Sequence, residues 1–308
     1  MLDLGVEPSV EEVCQDLLHQ SGLHVIAYRA MLDVPRELVH YLARLLAAER
    51  RARGTRTGTG TGTRALTCFR QALMVLVWFR KGEDKPLLGA GFAVSRATTY
   101  RYIAEAITVL SAQAPDLHTA LTRVADEGWS HVILDGKLFD TDRLTETTTS
   151  VKGEPIDAWY SGKHRDFGAN IQAIMRPDGL PIWTSDAAPG HLHDFTCAQL
   201  HDITGALYWA ASQLDLPTLA DSGYEGAGQG IHTPVKQPAD DGRLGIDNRT
   251  YNRLLRSLRG LGERGFALLT GRWHALRHTT ASPRSVGDIV RAALVLTQFE
   301  YRYLPNCR

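Results

Sequence analysis

Cysteine is scarce and scattered. Cys14, Cys68, Cys197 and Cys307 are the only four in 308 residues, and no two of them stand as C-x-x-C. That excludes a disulfide framework and a zinc ribbon as the source of stability, and it fits a reducing, cytoplasmic setting. Long apolar runs are missing too. The longest, ALMVLVWF at residues 72–79, is far too short to span a bilayer. The opening MLDLGVEPSVEEVCQDLL is acidic and amphipathic, so it does not read as a signal peptide. Net charge is absent, with 34 Lys plus Arg against 34 Asp plus Glu, which argues against a uniformly basic nucleic-acid binder. Lysine itself is rare, at 6 of those 34 cations. What is present is a chain 44% hydrophobic, long enough for a sizeable core.

The charge is unevenly spread. Residues 63–112 carry seven Lys/Arg against three acids, and residues 242–278 carry eight Arg against two. Two basic zones on a neutral chain suggest two polyanion contacts, and arginine forks suit phosphate. Residues 1–52 read as a helical N-terminal region, with apolar residues at three-to-four spacing in VEEVCQDLLHQSG and RELVHYLARLLAAERRAR. The tract at 53–64, RGTRTGTGTGTR, has no apolar anchor and reads as a linker or loop. Residues 65–112 predict three helices, the last capped by Ser95. Val94, Ala97, Ile103, Ala106, Ile107 and Leu110 supply an apolar face. Arg96, Thr98, Thr99, Arg101 and Tyr102 are then left mostly outward near the helix start. That is the layout of a helix-turn-helix, whose second helix offers its first residues to the major groove of DNA.

From about residue 128 the pattern turns to strands. HVILDGKLF, GANIQAIMRP, LPIWTSDAA and LPTLADSGY are strand-like, with a hairpin turn at Pro177, Asp178 and Gly179. A helical stretch at roughly 194–213 and a helical run from Asp247 or Asn248 to about His278 complete an α/β domain with a mixed sheet. Two of the apolar strands end in an aspartate, Asp135 and Asp221. Strand ends are where α/β sheets place ligands. Two carboxylates brought together there repel, and a hard divalent cation between them would relieve the repulsion. Glu263, three residues before Phe266 in a stripe continued by Leu269, Trp273 and Leu276, is the candidate third acid on a helix that docks on the sheet. Gly260, Gly262 and Gly265 beside it point to a kink or break. Glu225 and Asp247 are the rival acids, and the H-x-H-D cluster of His191, His193 and Asp194 leaves a zinc site open.

In these segments the chain resembles bacterial insertion-sequence transposases of the DDE class. LDGKLFDTDR matches the segment of the first catalytic aspartate. WYSGKHRDFGANIQAIMRPDGLPIWTSDAAPGHLHD matches the Gly-Lys-His, Gly-x-Asn and Pro-Gly-x-x-His-Asp signatures. LADSGYEGAGQGIHTPVK and NRTYNRLLRSLRGLGERGFALLTGRWHAL supply the second and third acids. The resemblance implies a helix-turn-helix at 65–112 and a ribonuclease-H-like catalytic domain at 128–300. It implies Asp135, Asp221 and Glu263 as catalytic ligands of two Mg²⁺ or Mn²⁺ ions. It also implies Lys163 and His164 as phosphate contacts, and His193 and Asp194 as supports of the site. The implied activity is phosphodiester cleavage and strand transfer on double-stranded DNA, at transposon ends and target, by a homodimer or larger assembly. Ser222 and Thr270 stand where such relatives often carry lysine. A catalytically degenerate relative acting as a repressor, or a metal-dependent hydrolase with another substrate, are the alternatives.

Overall fold

The computed structural model describes residues 32–55, 64–150, 152–238 and 242–304. The helix expected before residue 32 and most of the Gly/Thr tract lie outside the described residues. The chain divides into two compact units, one running to Trp78 and resuming over Glu83–Ala106, the other formed by Phe79–Gly82 and the chain from Ile107 onward.

In the first unit, helix α1 (Arg36–Ala52) buries Leu38, Val39, Leu42 and Leu46, the spacing of a helix packed along one stripe. It is followed by α2 (Cys68–Lys81), α3 (Lys85–Gly91) and α4 (Arg96–Ser111). Asp84 opens α3 by accepting a hydrogen bond from the Leu87 amide at 3.0 Å, and the Ser95 hydroxyl caps α4 by accepting from the Thr98 amide at 3.3 Å. Gly89 lets α3 approach α4 closely. A Cβ there would lie 2.2 Å from the Thr99 hydroxyl and 3.1 Å from the Val94 carbonyl. Helix α1 is tied into the same unit by a buried polar cluster. Arg50 bonds Gln71 and pairs with Glu105 at 3.7 Å, while Gln71 donates to Glu105 at 2.9 Å and to the Tyr102 carbonyl at 3.1 Å.

Two residues expected at the DNA-facing surface turn inward. Thr99 and Tyr102 are buried, whereas Arg96 and Arg101 are exposed, Thr98 is half-buried, and Ala97 and Tyr100 face out. The phase explains the correction. The buried stripe runs through Thr99, Tyr102, Ile103, Ala106 and Leu110, at three-to-four spacing, and Ala97 falls off it. The Thr99 hydroxyl satisfies itself by donating to the Ser95 carbonyl at 3.2 Å. Tyr102→Ala is therefore expected to cost about 3 kcal/mol of stability in urea unfolding, as large aromatic truncations do. Arg101→Ala should leave the midpoint nearly unchanged and weaken DNA binding instead.

The second unit begins with α5 (Leu117–Asp126), capped by Asp116, which accepts from the Thr119 amide at 2.9 Å. Its sheet centres on β1 (Val132–Asp140). A small hairpin, β2 (Thr147–Thr149) with β3 (Pro155–Asp157), stands apart from that sheet. On one side β1 pairs antiparallel with β5 (Asp166–Met175), Asp135 opposite Ala173 and Gly136 opposite Gln172. The far edge of β5 is covered in turn by β4 (Tyr160–Ser161), β6 (Pro181–Thr184) and β7 (Ala188–Pro189). On its other side β1 runs parallel to β8 (Thr218–Leu219), which runs parallel to β9 (Ile231–His232). This is the mixed sheet the sequence predicts, with the hairpin turn at Gly179 in the left-handed region at φ +84°.

Helices cover both faces. Val132 and Leu134 of β1 join Leu117, Leu121 and Val124 of α5 in one core, with Ile203, Leu207 and Ala210 of α7 (Ile203–Gln213). The expected single helix at 194–213 is two, α6 (Asp194–Leu200) and α7, because the chain breaks at Asp202, φ +55°. On the opposite face lie α9 (Gly262–Arg272) and α10 (Pro283–Glu300). Gly262 and Gly265 let α9 settle on the sheet, where added Cβ atoms would meet Ile133 at 2.6 Å and Met175 at 2.6 Å. Helix α8 (Ile246–Arg259) ends just before, so the run expected to continue to His278 is broken at Gly260 and Leu261.

Candidate active site

Strand β1 and strand β8 position the two aspartates. Val132 lies opposite Thr218 and Ile133 opposite Leu219. Asp135 follows two residues further along β1 and Asp221 two residues after the end of β8, near enough for the charge of Asp221 to act on Asp135. Each then fixes its own turn. Asp135 accepts from the Gly136 amide at 3.1 Å, and Asp221 accepts from the Gly223 amide at 2.8 Å. Asp135 is largely enclosed, its side chain 18% exposed. Burial pushes its pKa up to about 6, Arg259 at 3.9 Å works against that rise, and Asp221 and Asp194 add to it. A carboxylate raised in this way is short of positive charge.

Asp194, at the start of α6, is the third acid brought to this edge. Gly136 makes room for it, since a Cβ there would lie 2.6 Å from Asp194 Oδ1 and 2.6 Å from Gln172 Nε2. The Asp194 carboxylate is tied down on both oxygens. Asn170 donates to Oδ1 at 2.8 Å and Lys163 to Oδ2 at 3.1 Å. Behind Asn170, Gln172 donates to its amide oxygen at 2.7 Å, and the buried Tyr224 hydroxyl donates to Gln172. Tyr224 is held well above its ordinary pKa by burial, then by Asp194, Asp135 and Asp221. Burial works against the charge of Lys163, but the bond to Asp194 and the nearby aspartates raise its pKa on balance. Asn170 and Gln172 are polar residues at strand period on β5, and that alternation is the sequence signal for this network.

The other expected site residues spread around this centre. His164 and His193 are exposed. His191, half of the alternative zinc pair, points Nδ1 at the Ala158 carbonyl at 2.7 Å. Glu225 is exposed and pairs with Lys236. Glu263 is exposed in the first turn of α9, not on its buried face. Phe266 and Leu269 do dock, as the apolar stripe predicts. The contact is instead centred on Gly262 and Gly265, which leaves Glu263 on the shoulder of the helix. In sequence it comes shortly after Arg259, the residue that lies 3.9 Å from Asp135, but on the other side of the break at Gly260 and Leu261.

Residues 134–298, more than half of the chain, match the family model described as DDE superfamily endonuclease. The chain belongs to that superfamily. Residues 64–116 match a second model, the helix-turn-helix of DDE superfamily endonucleases. No curated protein and no solved structure matches the chain. DDE endonucleases generally use divalent metals, and the donor set here suits a hard cation: carboxylate oxygens, those of Asp135 largely enclosed, with mutual repulsion to relieve. No three His, Cys, Asp or Glu side chains among the described residues are gathered tightly enough to hold an ion alone. The two aspartates therefore supply only part of a coordination shell. Among the described residues no helix is long and apolar enough to cross a membrane.

Proposed function

We propose that this DDE endonuclease is a DNA transposase. In this reading residues 65–112 grip duplex DNA at transposon ends through Arg96, Thr98 and Arg101. Residues 128–300 cut and rejoin phosphodiester bonds at the ends and at a target. The observation that carries the proposal is the nearness of Asp135, inside β1 and not at its end as the apolar run suggests, to Asp221, just after the parallel strand β8, in a chain that matches DDE endonucleases.

Asp135, Asp221 and Glu263 would hold two divalent ions, Mg²⁺ or Mn²⁺. When bound, such ions supply Lewis acidity at the scissile phosphate and acidify an attacking hydroxyl. The chain's own groups do the rest. Asp135 gives up its proton to become a ligand, which its pKa of about 6 allows at neutral pH. Asp194, clamped by Asn170 and Lys163, keeps the floor of the site rigid and holds Lys163 at its rim. Lys163 and His164, exposed there, can meet the DNA backbone. His193 precedes Asp194 and sets the entry to α6. Joining two ends calls for a homodimer or larger assembly on DNA, acting in the cytoplasm where the DNA lies.

Asp221→Asn tests the reading. It should abolish Mn²⁺-dependent nicking of supercoiled plasmid while leaving DNA affinity in EDTA within about twofold of the parent. Nicking at the parental rate by the purified variant would refute it.

A further inference from the structure

Helix α8 carries a feature the catalytic acids do not use. Arg249, Arg253 and Arg256 recur at i, i+4 and i+7, so they line one face of the helix. All three are exposed, and among the described residues none has an acid partner. Together with Ser222, Val235 and Lys236 they line one open groove. The opposite wall is built, not incidental. The Asn252 side chain accepts from the Val235 amide at 2.8 Å and donates to the Val235 carbonyl at 2.9 Å, fixing that extended segment alongside the helix. The Tyr251 hydroxyl adds a bond to the Thr233 carbonyl at 3.3 Å. Lys236 pairs with Glu225, so among the described residues the charge of the groove left without an ion pair is the three arginines.

The groove has a direction. At one end it reaches Ser222, the residue after Asp221. The arginine stripe continues by one more step of three to Arg259, which lies 3.9 Å from Asp135. Seven helical residues span about 10 Å, and one DNA strand advances about 3.4 Å along the axis per phosphate. Three guanidiniums over that length, on long flexible side chains, can meet about two to three successive phosphates of one strand.

We propose that this groove is a binding track for the sugar–phosphate backbone of duplex DNA. It holds the strand beside Asp221 through Arg249, Arg253 and Arg256. The inference rests on the proposed DNA chemistry of the adjoining site, but it is a statement about binding and is tested without cleavage. The contacts are to phosphate, so they position the strand without reading sequence.

The test is fluorescence-anisotropy titration of the full-length protein, in EDTA, against a labelled duplex of about 30 base pairs, at salt from about 50 to 200 mM. Each phosphate contact contributes about 0.9 to the slope of log K against log salt. The triple variant Arg249→Gln, Arg253→Gln, Arg256→Gln should make that slope shallower by about 2 to 3 and weaken binding at low salt more than tenfold. The triple Arg→Lys variant should keep the parental slope, which separates lost charge from lost fold. A Gln triple variant with the parental slope and affinity would overturn the track. So would equal losses in the Gln and Lys variants, because the charge would then not be what binds. Failure of the protein to cut DNA under any condition would refute the transposase reading and leave this result standing.

Discussion

Asp135→Asn is expected to stabilise the metal-free protein, and the gain should appear only above a defined pH. The carboxyl of Asp135 has a folded-state pKa of about 6 against an ordinary value of 3.8. Burial is the main cause, opposed by Arg259 and reinforced by Asp221 and Asp194. Because the folded-state value is the higher one, the folded protein binds this proton more tightly than the unfolded chain does. Ionising it therefore costs stability as pH rises from about 4 to about 6, and the cost is constant above that window. About two pKa units correspond to roughly 2–3 kcal/mol. In EDTA, urea unfolding should show the asparagine variant equal to the parent near pH 4 and about 2–3 kcal/mol more stable at pH 7. A difference that does not change between those pH values would show that Asp135 is not held in an anion-crowded, desolvated site.

Glu263→Gln should cost more function than any other single change outside the two aspartates. Loss of a ligand that helps hold a catalytic cation removes several kcal/mol of transition-state stabilisation, or roughly 10²–10³-fold in rate. Its rivals are placed to matter less. Glu225 is exposed and paired with Lys236, and Asp247 sits exposed in the first turn of α8, where an acid favours the positive end of the helix. Glu225→Gln and Asp247→Asn should stay within a few-fold of the parent in Mn²⁺-dependent plasmid nicking. Because Glu263 is exposed, its glutamine variant should fold with unchanged stability. A Glu263→Gln protein that nicks at the parental rate would remove it from the site and leave Asp194 as the third acid at that edge.

The centre of the fold was legible because its signals are local and strong. Val132, Ile133 and Leu134 form an apolar run that stops at an aspartate, and the run before Asp221 repeats the pattern. The helix-turn-helix was legible from the Ser95 cap and from Ile103, Ala106 and Leu110 on the apolar face of its last helix, while the Asp84 cap showed only in the fold. Phase was harder. Thr99 and Tyr102 look polar enough to face DNA, but a buried threonine can bond its own helix and a buried tyrosine can present its ring to the core. Strands β4, β7 and β9 have two residues each, too few for any period to show. Helix α10 announces itself with Ser282 and Pro283, yet its long apolar stretch has no polar face to mark it as amphipathic. The Asp194 network escaped because it joins residues from a strand, a loop, a helix start and the turn after β8, which only the folded sheet brings together.

The central claim is that Asp135 and Asp221 are metal ligands, and ligand exchange tests it most directly. Asp221→Cys replaces a hard oxygen donor with a thiolate, which binds Mg²⁺ poorly and softer divalent ions better. In Mg²⁺ the cysteine variant should be as inactive in plasmid nicking as Asp221→Ala. In Mn²⁺, or in Mn²⁺ with a trace of Cd²⁺, it should recover measurable nicking while Asp221→Ala stays inactive. Parental nicking by Asp221→Ala in Mg²⁺ would contradict the account, because the aspartate would then hold no ion that the reaction requires.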